Sequence, residues 1–568
     1  MSNPRASIRS GIRSDLSLSP TVVRWIVPVL VIGFTITAFF PVLNNGFVNW
    51  DDDTLLLRNP NYRGLGWTQL RWMFTTTYMG HYRPLTWITF GLDYLIGGMD
   101  PRGYHLTNLL FHCANAVLFY FVALRLLRLA MPTPAAAELP LRLAAGFAAL
   151  IFSLHPLRVE AVAWVSGRKD LVSSQFLLLA ILCYLRAAAG EEVPRKRWMI
   201  AAVMIYAFSL LAKGIGMTLP VILLILDVYP LRRLGSGPGK WFGPEARQVW
   251  WEKVPFFVLA LTAGLIAPVA QYQLGAMRTL GEHGIIARLA QTLYGLAFYL
   301  WKTIVPISLS PLYELRIHFK VWDWPFVLSG GAVIGTTLAL LAIRQQWPAG
   351  LATWAYYGMM LAPVLGIAQV GVQLVADRYT YLSCLGWAIL AGAGIVLYWN
   401  LWVSSRIARP VFLFANGVAA LILLCLVTLT WKQVQVWKDS ESLWRHVLKI
   451  SEQSAYAHNN LGSALASEEK LDEAIAHFHQ ALRIDPGFTT AHYYLGNVLA
   501  KQGKLEEAKY HYQEALRLDP GFAGAHYNLA NILAKQGKLE EAKYHLRQAV
   551  RQMGKGPRPI RRGPADGS

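Results

Sequence analysis

Eleven apolar stretches set the terms for this chain, near residues 25–43, 104–125, 142–155, 171–185, 198–212, 216–231, 254–271, 324–343, 349–368, 379–398 and 410–430. Within a bilayer each backbone N–H and C=O must find its partner inside the segment, so a span of about 20 apolar residues has to be helical. The expected class is all-α, a polytopic membrane helix bundle of about 11 transmembrane helices. Hydrophobic residues make up 54% of the 568 and charged residues only 15%, which excludes an ordinary soluble domain. A twelfth stretch, 287–306, is interrupted by Arg288 and Lys302 and ends at Pro306. No small-residue cleavage site follows the first stretch, which therefore reads as an uncleaved helix.

Arginine and lysine favour cytoplasmic connections. They recur in Arg5, Arg9, Arg13 and Arg24, after the second span in Arg125 and Arg128, after the fourth in Arg186, Arg195, Lys196 and Arg197, and after the sixth in Arg232, Arg233 and Lys240. Arg344, Arg406 and Arg409 join that side only if 287–306 begins and ends outside, as a re-entrant or interfacial segment. Residues 1–24 are then a cytoplasmic tail, 25–431 the bundle, and 44–103 a large first extracytoplasmic loop. The compact loops point to a bacterial inner membrane. The net charge of +20 is spent on orienting helices against anionic lipid, so nucleic acid is not an expected partner. Cys113, Cys183, Cys384 and Cys425 lie in apolar runs without metal-ligand spacing.

Beyond the last span, 432–454 reads as a linker with a half repeat, followed over 455–556 by three units of 34 residues. Leu461, Leu495 and Leu529 superimpose, as do Ala474, Ala508 and Ala542, and Pro486 and Pro520. This is the tetratricopeptide period, which predicts an α-solenoid of helical hairpins that binds peptides or partner proteins. Residues 557–568 are expected to be disordered.

The polar residues of the outer connections fall on one side of this topology. They are Asp51 and Asp52 in FVNWDDD, Arg83 in HYRPL, His105 and Asn108 in YHLTNLLFH, His155 and Glu160 in HPLRVEAV, Arg168 and Asp170 in SGRKD, Lys213, and Asp377-Arg378-Tyr379. Arg168-Lys169-Asp170 can also be read as a solvated turn, and His112 as a packing residue. Carboxylates at a membrane surface can take the proton of an acceptor hydroxyl, while fixed cations stabilise a departing phosphate. The set therefore suits transfer from a lipid-phosphate donor, with Arg83 and Arg378 better matched to phosphate than lysine. P-loop, Rossmann and HExxH patterns are absent. No cofactor is implied, although paired carboxylates could also hold a divalent cation.

Six blocks in order, FVNWDDDTLLLRNPN, YRPLTWITFGLDYLIGG, GYHLTNLLFHCANAVL, HPLRVEAVAWVSGRKDLV, LLAKGIGMTLPVILLILDVYP and ADRYTYLSCLG, ending in the repeats, resemble the transmembrane and tetratricopeptide-containing O-mannosyltransferase-like proteins. The resemblance implies a GT-C glycosyltransferase: a polyprenyl-phosphate-linked, mannose-like sugar as donor, direct inverting transfer to a hydroxyl, and an extracytoplasmic site. It also implies a protein or peptide acceptor brought by the repeats. Its diacidic motif falls on Asp51 and Asp52, either of which could be the base, with Asp53 an extra acid. Arg83, Lys213 and Arg378 would surround the donor phosphate, with His105, Asn108, His155, Glu160, Asp377 and Tyr379 nearby. Where the family often has Ala-Lys-Glu this chain has Ala212-Lys213-Gly214, which removes a carboxylate beside Lys213. The competing expectation is a non-catalytic, membrane-anchored tetratricopeptide scaffold for envelope assembly.

Overall fold

The structure is a computed structural model that describes residues 20–131, 138–189, 194–235, 240–274, 284–315, 320–366 and 371–553. Most of the expected tail at 1–24 and all of 557–568 lie outside the described residues.

Every apolar stretch is helical. Among the described residues seven helices are long and apolar enough to cross a bilayer, or eight if Glu138–Ser153 and Pro156–Ala163 are taken as one span bent by 57°. Pro156 accounts for the bend, because it has no N–H to continue the helix. Three further apolar helices fall below that test, Arg195–Ala212, Leu219–Val228 and Pro348–Leu361, so the described residues hold fewer candidate spans than the eleven expected. The 18 residues of Arg195–Ala212 rise about 27 Å. Small residues let these helices approach closely; a Cβ on Gly392 would stand 2.7 Å from the Ala144 carbonyl oxygen, joining Leu385–Val403 to Glu138–Ser153.

Helix Ile285–Ile304 is not among the candidate spans. Its Gln291 side chain donates to the Leu374 carbonyl and its Thr292 hydroxyl to the Leu365 carbonyl, while the Thr303 carbonyl accepts from His155 Nε2. All these partners belong to the face that carries Arg378. Both ends of the helix are thus tied to the segments around Arg378 and His155. The segments after it, Tyr313–Glu314 and Gln373–Val375, pair as a two-stranded antiparallel sheet on the same face.

The last membrane helix, Arg409–Val436, continues past its apolar part and hands over almost directly to Ser440–Ile450, which Asp439 caps by accepting from the Ser442 N–H at 2.8 Å. Three hairpins follow, from Ala455–Ser467 with Leu471–Ile484 to Ala523–Lys535 with Leu539–Met553. Gly503 and Gly537 turn two of them with φ of +79° and +77°; the equivalent position of the first is Glu469, at φ 64°. The array packs on the first outer loop. Gly46 N–H donates to the Lys438 carbonyl at 2.8 Å, Asn49 N–H to Ser440 Oγ at 2.9 Å, and the Asn49 amide to the Asn460 carbonyl at 3.0 Å. Trp444 Nε1 returns a bond to Asn49 Oδ1, and its ring meets Trp50 edge to face. Repeats and diacidic loop therefore share one face.

Candidate active site at the diacidic loop

Three adjacent acids meet three different environments. Asp52 is fully buried: Oδ1 accepts from the Ser166 N–H at 3.1 Å and the Ser166 hydroxyl at 2.5 Å, and Oδ2 from the Val48 N–H at 3.2 Å. It clamps the loop to the Val165–Gly167 turn. Burial pushes its carboxyl up to about 7, the Ser166 and Val48 bonds pull the other way, and the charge of Asp51 adds to the rise. Asp53 turns to the rim, where it accepts from Thr54 and faces Arg58 at 3.4 Å. Asp51 remains half-buried, and its carboxylate makes no hydrogen bond or ion-pair contact among the described residues. Its negative charge acts on Arg83.

Arg83 is 2% exposed, stacks over Trp87 at 5.1 Å, and has no hydrogen-bonding or ion-pair partner for its guanidinium among the described residues; its Nε is buried and unbonded. Burial lowers it to about 10, with Asp51 and Asp170 opposing, so it stays charged at neutral pH. Lys169, also buried, sits over Trp164 at 4.8 Å without a carboxylate at ion-pair distance among the described residues. Lys213 pairs with Asp170 at 2.5 Å, which supplies the acid that Gly214 does not. Arg378 is held by Glu160 through both its side chain and its N–H, the latter at 2.8 Å, and lies over the Trp164 ring at 5.4 Å. Burial alone would lower Arg378, but Glu160 outweighs it and raises it.

His81 locates the centre of this group. It is exposed to solvent yet enclosed by protein, as expected for the wall of a recess. Its imidazole is held well below the ordinary value, first by that enclosure and then by Arg83, Lys169, Lys213 and Arg378. The charges of these four cations all act on His81, and the charge of Asp51 acts on Arg83 and Lys169.

Other members of the expected set serve the scaffold. Arg168 starts the helix Arg168–Ala188 but is fully buried, not solvated: it pairs with Asp93, donates to Asn108 Oδ1 at 2.7 Å and to the Tyr104 carbonyl at 2.6 Å. Asn108 in turn donates to the Val162 and Trp164 carbonyls, holding the turn that presents Trp164. His105 bonds the Gly46 carbonyl through Nε2, and His155 takes the Leu157 N–H on Nδ1. His112 is a packing residue, bonded to Tyr381 and the Ser153 carbonyl. Asp377 accepts from the Tyr313 hydroxyl at 3.0 Å; burial, then Glu160, raise its carboxyl well above the usual range. Tyr379 receives a bond from Gln373 and stacks on Arg378. Both oxygens of Asp52 accept hydrogen bonds, and among the described residues no group of three or more His, Cys, Asp or Glu side chains is placed to hold a metal ion.

Sequence reasoning passed over His81 and Lys169. His81 carries a usable signal, since it stands two residues from Arg83 in an extended stretch, where alternate side chains share a face. Lys169 has none, as only the buried partners of Arg168 decide which neighbour turns to the recess.

Tetratricopeptide repeat models match residues 462–503, 496–537 and 523–555. Protein O-mannosyl-transferase Tmtc3 of Drosophila melanogaster is 26% identical over 458 residues, covering 71% of this chain and 48% of that protein. The chain is a relative of the tetratricopeptide-containing O-mannosyl-transferases. Human protein O-mannosyl-transferase TMTC3 is 24% identical over 502 residues, covering 80% of this chain and 51% of its own. Xenopus laevis tmtc2 reaches 36% over 155 residues, or 27% of this chain. The chain spans about half the length of the first two relatives. Among solved structures, MamA is similar over 20% of the chain, at 23% identity and a TM-score of 0.19.

Proposed function

We propose that this protein is a membrane glycosyltransferase that moves a mannose-like sugar from a polyprenyl-phosphate donor to a hydroxyl of a protein acceptor. The observation that supports the reading is a buried Arg83 with no ion-pair partner among the described residues, on which the charge of Asp51 acts, and which acts on His81 together with Lys169, Lys213 and Arg378. A buried guanidinium without an anion is costly. A phosphate that arrives with the substrate removes that cost and gives the charge a purpose.

In this scheme Asp51 takes the acceptor proton as the hydroxyl oxygen bonds to the anomeric carbon. The bond from that carbon to the donor phosphate oxygen breaks, its electron pair stays on the phosphate, and the four cations stabilise it. Asp52 positions the loop. The polyprenyl chain lies in the bilayer, and the repeats, packed on the same loop, hold the acceptor. The arginine-rich opposite face fits the cytoplasmic side, which makes the site extracytoplasmic. The names of the relatives agree with this chemistry.

Purified protein in nanodiscs, given labelled polyprenyl-phosphate mannose and an extract of candidate acceptor proteins, should label protein. Arg83→Ala should cut labelling at least tenfold at limiting donor while the protein remains monodisperse. Equal labelling by parent and variant would overturn the assignment. The scaffold reading rests on the repeats alone and leaves Arg83 without explanation.

A further inference from the structure

Two buried tryptophans, distant in sequence, meet where the array joins the membrane bundle, and the transfer scheme gives their contact no role. Trp164 stands between the short helices Val159–Ala163 and Val165–Gly167, and Trp437 closes the helix Arg409–Val436. Their rings stack with centroids 6.1 Å apart and planes 28° from parallel, and each residue is 1% exposed.

Two cations of the recess rest on the Trp164 ring. Lys169 Nζ stands 4.8 Å and the Arg378 guanidinium 5.4 Å from its centroid. Lys169 has no carboxylate at ion-pair distance among the described residues, so the indole takes the part that an acid would play. The place of the ring then decides the place of both charges.

Packing is what fixes that ring. Asn108 donates to the Trp164 carbonyl at 3.2 Å and the Gly167 N–H does so at 2.9 Å, which holds the backbone. The side chain has no such tie. The indole N–H of Trp164 is buried without a hydrogen-bond partner among the described residues, and so is that of Trp437. An indole that makes no hydrogen bond keeps its orientation through the surfaces packed on it, and for Trp164 the stacked surface is Trp437.

Trp437 in turn is seated by the array. Only Trp437, Lys438 and Asp439 separate the last membrane helix from Ser440–Ile450. The Lys438 carbonyl accepts the Gly46 N–H at 2.8 Å, Asp439 caps the array helix, and Ser440 Oγ accepts the Asn49 N–H at 2.9 Å. A shift of the array against the first outer loop therefore reaches the Trp437 ring directly.

We infer that Trp437 is a positioning residue for the donor phosphate: seated by the array, it sets the plane of Trp164 and, through it, the places of Lys169 and Arg378. The inference rests on the donor reading of the recess and adds that donor affinity depends on how the array is seated. With the stack intact both cations are presented together; without it the indole turns and they disperse.

The test uses the full-length protein in nanodiscs with two readouts: retention of radiolabelled polyprenyl phosphate, which needs no transfer, and the rate of transfer from labelled polyprenyl-phosphate mannose. Thermal unfolding is followed alongside. Trp437→Leu should weaken retention about tenfold and raise the donor KM by a similar factor, while the rate at saturating donor stays within about threefold of the parent. Trp437→Phe keeps an aromatic face against Trp164 and should recover most of the affinity. Where Trp437→Leu is not recovered folded, Trp437→Met takes its place with the same expectation. Trp354→Leu removes a buried indole from a separate apolar cluster and should lower the unfolding temperature without moving either readout. Retention by Trp437→Leu equal to that of the parent, or by Trp437→Phe as weak as by Trp437→Leu, would overturn the inference and leave the donor reading standing. A parent that retains no polyprenyl phosphate would overturn both.

Discussion

Asp51 and Asp52 are neighbours in sequence and opposites in space, so the same substitution at each should give different losses. Asp51→Asn removes a half-buried carboxylate that makes no hydrogen bond, and its effect on stability should stay within about 0.5 kcal/mol. Transfer should fall by about 10²–10⁴, the worth of a positioned base, equivalent to roughly 3–5 kcal/mol of barrier. Asp52→Ala strips partners from two buried backbone N–H groups, Val48 and Ser166, and from the Ser166 hydroxyl. At about 1–3 kcal/mol for each of the three unsatisfied buried groups, the loss is of order 3–9 kcal/mol, a large part of the stability of an ordinary domain. Thermal unfolding in detergent reads the second quantity, and label transfer from the lipid-linked sugar reads the first. If Asp51→Asn transfers within threefold of the parent, or if Asp52→Ala unfolds like the parent, the division of labour argued here is wrong.

Asp52 also sets a pH dependence. Its folded value near 7 lies above the ordinary 3.8, so the folded state keeps a proton that the unfolded state gives up. This contribution is complete below about pH 4 and is lost as pH rises through 7; at most ~4 kcal/mol is involved, and Asp52→Asn should flatten the pH profile of the unfolding temperature. Arg83→Met should leave stability unchanged or raise it, because no ion pair is broken, while the donor KM increases at least tenfold in the transfer assay. Arg168→Ala breaks a buried pair with Asp93 and should destabilise the bundle by about 3–5 kcal/mol in the same thermal assay. Glu469→Gly relieves a left-handed residue at a position where the other repeats have glycine; it loses the exposed contact to Lys501 and should still gain about 0.5–1 kcal/mol in denaturant unfolding of the array.

Much of the architecture could be read from the residues, because it rests on periodicities. Apolar stretches became helices, basic connections such as Arg125, Arg128 and Arg186 gathered at one face, and the 34-residue spacing produced stacked hairpins. Arg288 and Lys302 interrupt the apolar run of a helix that is not among the candidate spans. The site was legible only in outline. Arg168, His155 and Asn108 share residue types with the recess lining, but their partners lie 75, 148 and 54 residues away, and those partners turn them inward. Local sequence carries no trace of such pairings. The exchange of the expected acid after Lys213 for Asp170 is of the same kind, since the contact spans 43 residues and restores across two helices what one segment had lost.

The clasp between Asn49 and the start of the array joins residues almost four hundred positions apart. During synthesis the loop bearing Asp51 leaves the ribosome early, yet the groups that fix its shape, Lys438, Ser440, Trp444 and Asn460, are made almost four hundred residues later. The membrane bundle can therefore insert with an unset loop, and its final shape waits for the C-terminal helices. A chain cut before Lys438 would reach the membrane and stay inert, and the severed repeats, supplied as a separate polypeptide, would be able to switch it on.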